Sequence, residues 1–99
     1  MIRHVVSWKL NVEGIAEKHA ATVQIRGLLE GLRSPIPEIK ALTVGENAVS
    51  VARNWDLVLI ADYESPADLQ TYLEHPEHLK VAAVITALVA ERSAVDVEF

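Results

Sequence analysis

The sequence predicts an α+β domain built on a four-stranded antiparallel sheet with helices on one face. Three observations carry this. Segments that alternate in polarity open and close the chain, as strands do. Two longer segments carry apolar residues at helical spacing. A Ser-Pro-Ala-Asp start at 65–68 sets a helix immediately after the most apolar strand.

In chain order, residues 2–10 read as a strand with Ile2, His4, Val6, Trp8 and Leu10 on one side and Arg3, Val5, Ser7 and Lys9 on the other. Asn11 reads as a turn residue or helix N-cap. Residues 13–33 fit a helix whose inner stripe is Ile15, His19, Thr22, Ile25, Leu29 and Leu32. Gly27 and Gly31 weaken it, and Pro35 and Pro37 end it. Residues 38–46 read as a second strand broken at Gly45, and 46–53 as a loop. Residues 54–64 are the clearest strand, and Ser65 caps the helix that runs to Glu74. His75-Pro76 interrupts, a second helical piece covers 77–90, and residues 92–99 form the last strand, with Val95, Val97 and Phe99 alternating with Asp96 and Glu98. The order βαββαβ is the split arrangement of ferredoxin-like domains. Residues 1–99 read as one domain, with no internal repeat, low-complexity tract or linker.

Composition bounds the function. The chain has 99 residues, 51% hydrophobic and 23% charged, which suits a soluble globule with one core. Nine Lys and Arg against fourteen Asp and Glu give a net charge of -5, which argues against nucleic acid as a partner. The absence of Cys excludes disulfides, thiolate metal sites and thiol catalysis and fits a cytoplasmic location. No apolar run approaches the ~18 residues of a membrane span, so no membrane partner is expected.

The strand at 54–64 is apolar on both faces: Leu57, Leu59, Ala61 and Tyr63 on one, Val58 and Ile60 on the other. Helices cover only one face of such a sheet, so the expectation is a homodimer whose sheets pack face to face, a homodimeric α/β barrel. Leu57 and Leu59 are expected on the side that the second copy shields.

Chemistry concentrates in Tyr72-Leu73-Glu74-His75-Pro76-Glu77-His78. Pro76 separates the two His, and no third ligand stands at diagnostic spacing, so no metal is expected. A phenol donates a hydrogen bond to a carbonyl and an imidazole takes a proton near neutrality, so Tyr72 and His78 form a candidate catalytic pair. His4 and Trp8, on one strand face, together with Asp56 and His75, are candidate pocket residues. Tyr72, His78, His4 and Asp56 each also have a structural reading, His4 as a hydrogen-bonded core His and Asp56 as a strand-end polar group, and His75 and His78 as helix caps or solvated groups. His19 reads as structural or surface. No phosphate loop or nucleophile elbow is present.

Several segments resemble the stress-responsive A/B barrel (Dabb) family: Ile2 to Leu10, Val44-Gly45-Glu46-Asn47, Asp56-Leu57-Val58-Leu59, the Tyr-x-x-His-Pro-x-His run at 72–78, and Val95-Asp96-Val97-Glu98. The resemblance implies a ferredoxin-like fold, a dimeric α+β barrel, no cofactor and a domain spanning the chain. For function it implies a small homodimeric protein without an assigned reaction, linked to stress and binding a small apolar ligand. One branch of the family closes linear polyketides into aromatic rings by aldol chemistry. Its catalytic Tyr and His, and an N-terminal pocket His, correspond by position to Tyr72, His78 and His4. Asp56 stands where that branch has another His. The alternative implied is therefore a cofactor-independent cyclase or lyase with a Tyr/His acid–base pair.

Overall fold

The structure, a computed structural model, describes all 99 residues. The elements are β1 (Ile2–Leu10), α1 (Ile15–Glu30), β2 (Ala41–Glu46), β3 (Leu57–Tyr63), α2 (Pro66–Glu74), α3 (Pro76–Leu88) and β4 (Val89–Glu98). The sheet order is β2-β3-β1-β4, antiparallel throughout, which is the ferredoxin-like βαββαβ topology. No helix is long and apolar enough to cross a membrane.

Alternation in β1 and β3 sets the layers. Ile2, His4, Val6, Trp8 and Leu10 are buried, and so are their partners Leu57, Leu59, Ala61 and Tyr63. These side chains join Thr22, Ile25, Leu29 and Leu32 from α1 and its continuation, and Leu69, Tyr72 and Ile85 from α2 and α3. Each large aliphatic group so buried contributes about 1.5–3 kcal/mol. Leu57 and Leu59 therefore lie in the chain's own core, at 3% and 2% exposure, and not on the side a second copy would shield. The bare face is the other one. On it Thr43, Ile60, Val5 and Val95 stand side by side across the four strands, with Val58 beside Ser7 and Val97 beside Arg3.

Several elements depart from the sequence expectation. α1 begins at Ile15, whose side chain is 87% exposed, and His19 turns outward to Glu46 at 2.9 Å, so the inner stripe starts only at Thr22. Asn11 caps no helix start. Its amide donates to the Ala87 carbonyl and its backbone N–H to Leu88, closing the end of α3 against β1. β2 starts at Ala41, because Ile36 and Ile39 are buried in the turns before it, and it runs through Gly45 unbroken. β4 leaves α3 with no loop between them. Ser65 caps α2 as expected, its Oγ accepting from the Asp68 N–H at 3.1 Å.

Candidate functional site

Proline geometry creates the site. Pro76 pushes the residue before it out of the helical region, and His75 sits at φ -63, ψ 134. α2 ends there and α3 starts at Pro76. The His75 ring caps the new helix: its Nδ1 accepts from the Glu77 N–H at 3.1 Å. In an unbroken helix that N–H would bond the Leu73 carbonyl. Here the Leu73 oxygen is released, and His78 Nδ1 lies 3.0 Å from it.

A carbonyl oxygen only accepts, so the proton of neutral His78 sits on Nδ1 and Nε2 is left with its lone pair. Burial holds the His78 pKa below its ordinary 6.5 although the Leu73 hydrogen bond opposes it, and His4 and Arg92 add to the lowering, so the ring is a neutral base around pH 7. The Tyr72 ring lies against it, centroids 4.3 Å apart. Burial pushes the Tyr72 phenol up to about 12, so it is a hydrogen-bond donor and not a base at neutrality.

These two rings open into a cavity of about 370 Å³ between the helices and the sheet. Val6, Trp8, Leu59 and Ile85 contribute to a mostly apolar lining. His4 joins them from β1, 4% exposed, its ring 6.2 Å from Tyr72. Its Nδ1 meets the Asp96 carboxylate at 2.5 Å across the β1–β4 pair, which places that proton on Nδ1. Behind Tyr72 lies Tyr63, ring centroids 5.2 Å apart, its hydroxyl buried without a partner and its pKa raised by burial.

The structure thus brings Tyr72, His78, His4 and Trp8 together. His75 stays outside the lining, as the α3 cap. Asp56 lies at the far end of β1, accepting from the Leu10 N–H at 2.8 Å and from Lys18 Nζ at 3.0 Å, and is the strand-end carboxylate of the structural reading. Among the residues not singled out as site candidates from sequence are Arg92, in the lining, and Asp96, which holds His4. The signal was the even-numbered side of β4, which antiparallel pairing sets opposite Trp8 and His4. No three potential metal-ligating side chains cluster anywhere in the chain. A larger and more open hollow, about 580 Å³, lies on the bare sheet face under the loop before β3 and contains none of the candidate residues.

The fold and site are those of a ferredoxin-like α+β protein with a polar-tipped, mostly apolar cavity under a broken helix pair. Residues 2–99 match the model of the Stress responsive A/B Barrel Domain, so the chain belongs to the Dabb family. No curated protein matches the sequence. Among solved structures, it is similar to a dimeric protein of unknown function with a ferredoxin-like fold from Bacteroides fragilis, at 26% identity over 99% of this chain and 95% of that one, TM-score 0.87. A dimeric ferredoxin-like protein of unknown function from Thermobifida fusca gives 28% identity, 99% and 90% coverage, and TM-score 0.82. The hydroxynitrile lyase from Passiflora edulis shares the fold at 17% identity, 97% and 90% coverage, and TM-score 0.80.

Proposed function

We propose that this protein is a homodimer that binds a small apolar molecule bearing a carbonyl group in the cavity beneath the α2–α3 break. The observation that carries the proposal is the pairing, in one mostly apolar space of about 370 Å³, of a phenol donor with an imidazole acceptor. The apolar walls take the body of the ligand, and the Tyr72 hydroxyl donates to its carbonyl oxygen. The homodimer forms through the bare sheet face. Its support is the exposed apolar side chains of Ile60, Val95 and Val97 on that face together with the dimeric description of the two bacterial relatives. A cytoplasmic location belongs to the same reading.

Titration with 2-octanone tests it. The expected result is saturable binding, one molecule per chain, read by calorimetry and by a change in Trp8 emission in a Trp55→Phe background. Ala82→Phe, which fills the cavity, abolishes it. Absence of saturable binding, or equal binding by the filled variant, overturns the reading.

A second reading has one specific observation in its favour, the free Nε2 of His78. In a cofactor-independent cyclase or lyase, His78 Nε2 takes the proton from a carbon alpha to the bound carbonyl. The electron pair of that C–H bond forms the carbon–carbon double bond, the carbonyl π pair moves onto oxygen, and Tyr72 stabilises the enolate by hydrogen bonding. In a cyclase the enolate carbon then attacks a second carbonyl of the same chain, the first C=O bond re-forms, and the new alkoxide takes the proton back from His78 Nε2. The lyase from Passiflora supports this at the level of fold only. His78→Ala lowers turnover of a poly-β-ketone by about a hundredfold or more while the protein stays folded. Unchanged turnover removes His78 from this role.

A further inference from the structure

We infer that the cavity selects an anionic ligand, a small apolar carboxylate, and that Arg92 holds its carboxylate; this rests on the proposed binding cavity. Arg92 projects from the helix-facing side of β4, opposite Trp8, and lines the cavity mouth. No hydrogen bond or ion pair within the chain takes up its guanidinium. The neighbouring acids are both engaged: Glu91 with Lys9 Nζ at 3.3 Å, Asp96 with His4. The other basic groups of the lining, His4 and His78, hold their Nδ1 protons on Asp96 and on the Leu73 carbonyl.

The guanidinium is close enough to act on the site electrically. Its charge works against the upward push of burial on Tyr72 and adds to the downward push of burial on His78. An unpaired Arg beside an apolar cavity, in a chain of net charge -5, is a local positive centre against a negative background. Its planar fork matches a carboxylate in bidentate geometry. A phosphate dianion asks for more cationic and N–H partners than this rim offers, since the remaining lining is mostly apolar. A carboxylate on Arg92 points the hydrocarbon chain inward over Trp8, Val6 and Leu59 toward the Tyr72–His78 pair.

The test compares octanoate with 2-octanone, matched in carbon number, by calorimetry on the full-length protein. Octanoate binds about tenfold or more tightly than the ketone, as a charge-assisted fork contact predicts. In Arg92→Leu, folded by circular dichroism, the preference collapses to about parity. Added salt weakens octanoate binding to the wild type and leaves the ketone unaffected. Equal affinity of the wild type for the two ligands, an undiminished preference in Arg92→Leu, or salt-independent octanoate binding each overturns the inference while leaving the cavity reading intact. Failure of both ligands to bind overturns the cavity reading and this inference with it.

Discussion

His78 acquires its chemistry from its surroundings. An exposed imidazole divides its time between tautomers, whereas here the Leu73 carbonyl at 3.0 Å fixes Nδ1–H and burial keeps the ring neutral. The pH consequence has a definite sign. The folded pKa lies below the unfolded value, so below about pH 6.5 the unfolded chain binds more protons than the folded one. The stability that His78 contributes is complete above that pH and is lost as pH falls through the folded pKa. In His78→Gln the decline of unfolding free energy between about pH 7 and about pH 5 is shallower than in the wild type, measured by urea denaturation. An unchanged slope removes His78 as a source of the pH dependence. His4 has a different partner, its Nδ1 being held by a carboxylate rather than a carbonyl. The pairing of Tyr72 and His78 was legible from seven consecutive residues. The partners that fix the imidazole tautomers were not: Leu73 holds His78 through its backbone, which has no side-chain signature, and Asp96, which holds His4, lies 92 positions from it in sequence.

At the scale of elements, the α2–α3 break depends on two residues with separate tasks. Pro76 forbids helical geometry at His75, and the His75 ring then satisfies the N–H that the break exposes. With Pro76 still holding the break, removing the ring leaves that N–H without its side-chain cap. His75→Ala therefore destabilises the fold by about 1 kcal/mol, as loss of an N-cap does, in thermal or urea unfolding. His75→Asn, which offers a capping oxygen, recovers most of it. Equal stability of His75→Ala and wild type contradicts the capping role. Pro76 made this break readable in the sequence, as Ser65-Pro66 did the start of α2. Other boundaries were hidden because tertiary contacts decide them. Ile36 and Ile39 look like strand residues by hydropathy, yet they fill the core from turns, and β2 begins only at Ala41. Ile15 fits the helical stripe by spacing, but it precedes the part of α1 that meets the sheet and is left exposed.

For the whole molecule, the decisive feature is a sheet whose two faces are both apolar while its own helices cover one. The sequence of β3 displays this two-sidedness. It does not say which side is which, because a period of two assigns residues to faces without orienting either face toward the helices. Burial resolves it, with Leu57 and Leu59 inside and Val58 and Ile60 outside. The bare face is not uniformly apolar. Arg3 forks onto Asp62 at 2.9 and 3.1 Å, holding that carboxyl below its usual range, and the Arg3 guanidinium also lies over the Phe99 ring at 4.4 Å. An apolar row flanked by a satisfied ion pair is a surface with a defined orientation, suited to a second sheet. A lysine placed in the middle of that row must be desolvated for two sheets to meet, and in a symmetric dimer the cost is incurred twice. For the proposed homodimer, Ile60→Lys therefore lowers the sedimentation mass from twice 10.9 kDa to the single-chain value without unfolding the monomer. Leu79→Lys, at a position 55% exposed on α3, introduces the same charge on the helix side and leaves the mass of the dimer unchanged. Dissociation by the Leu79 variant and not by the Ile60 variant would move the interface to the helices, and an Ile60→Lys protein that still sediments as a dimer would exclude the sheet face.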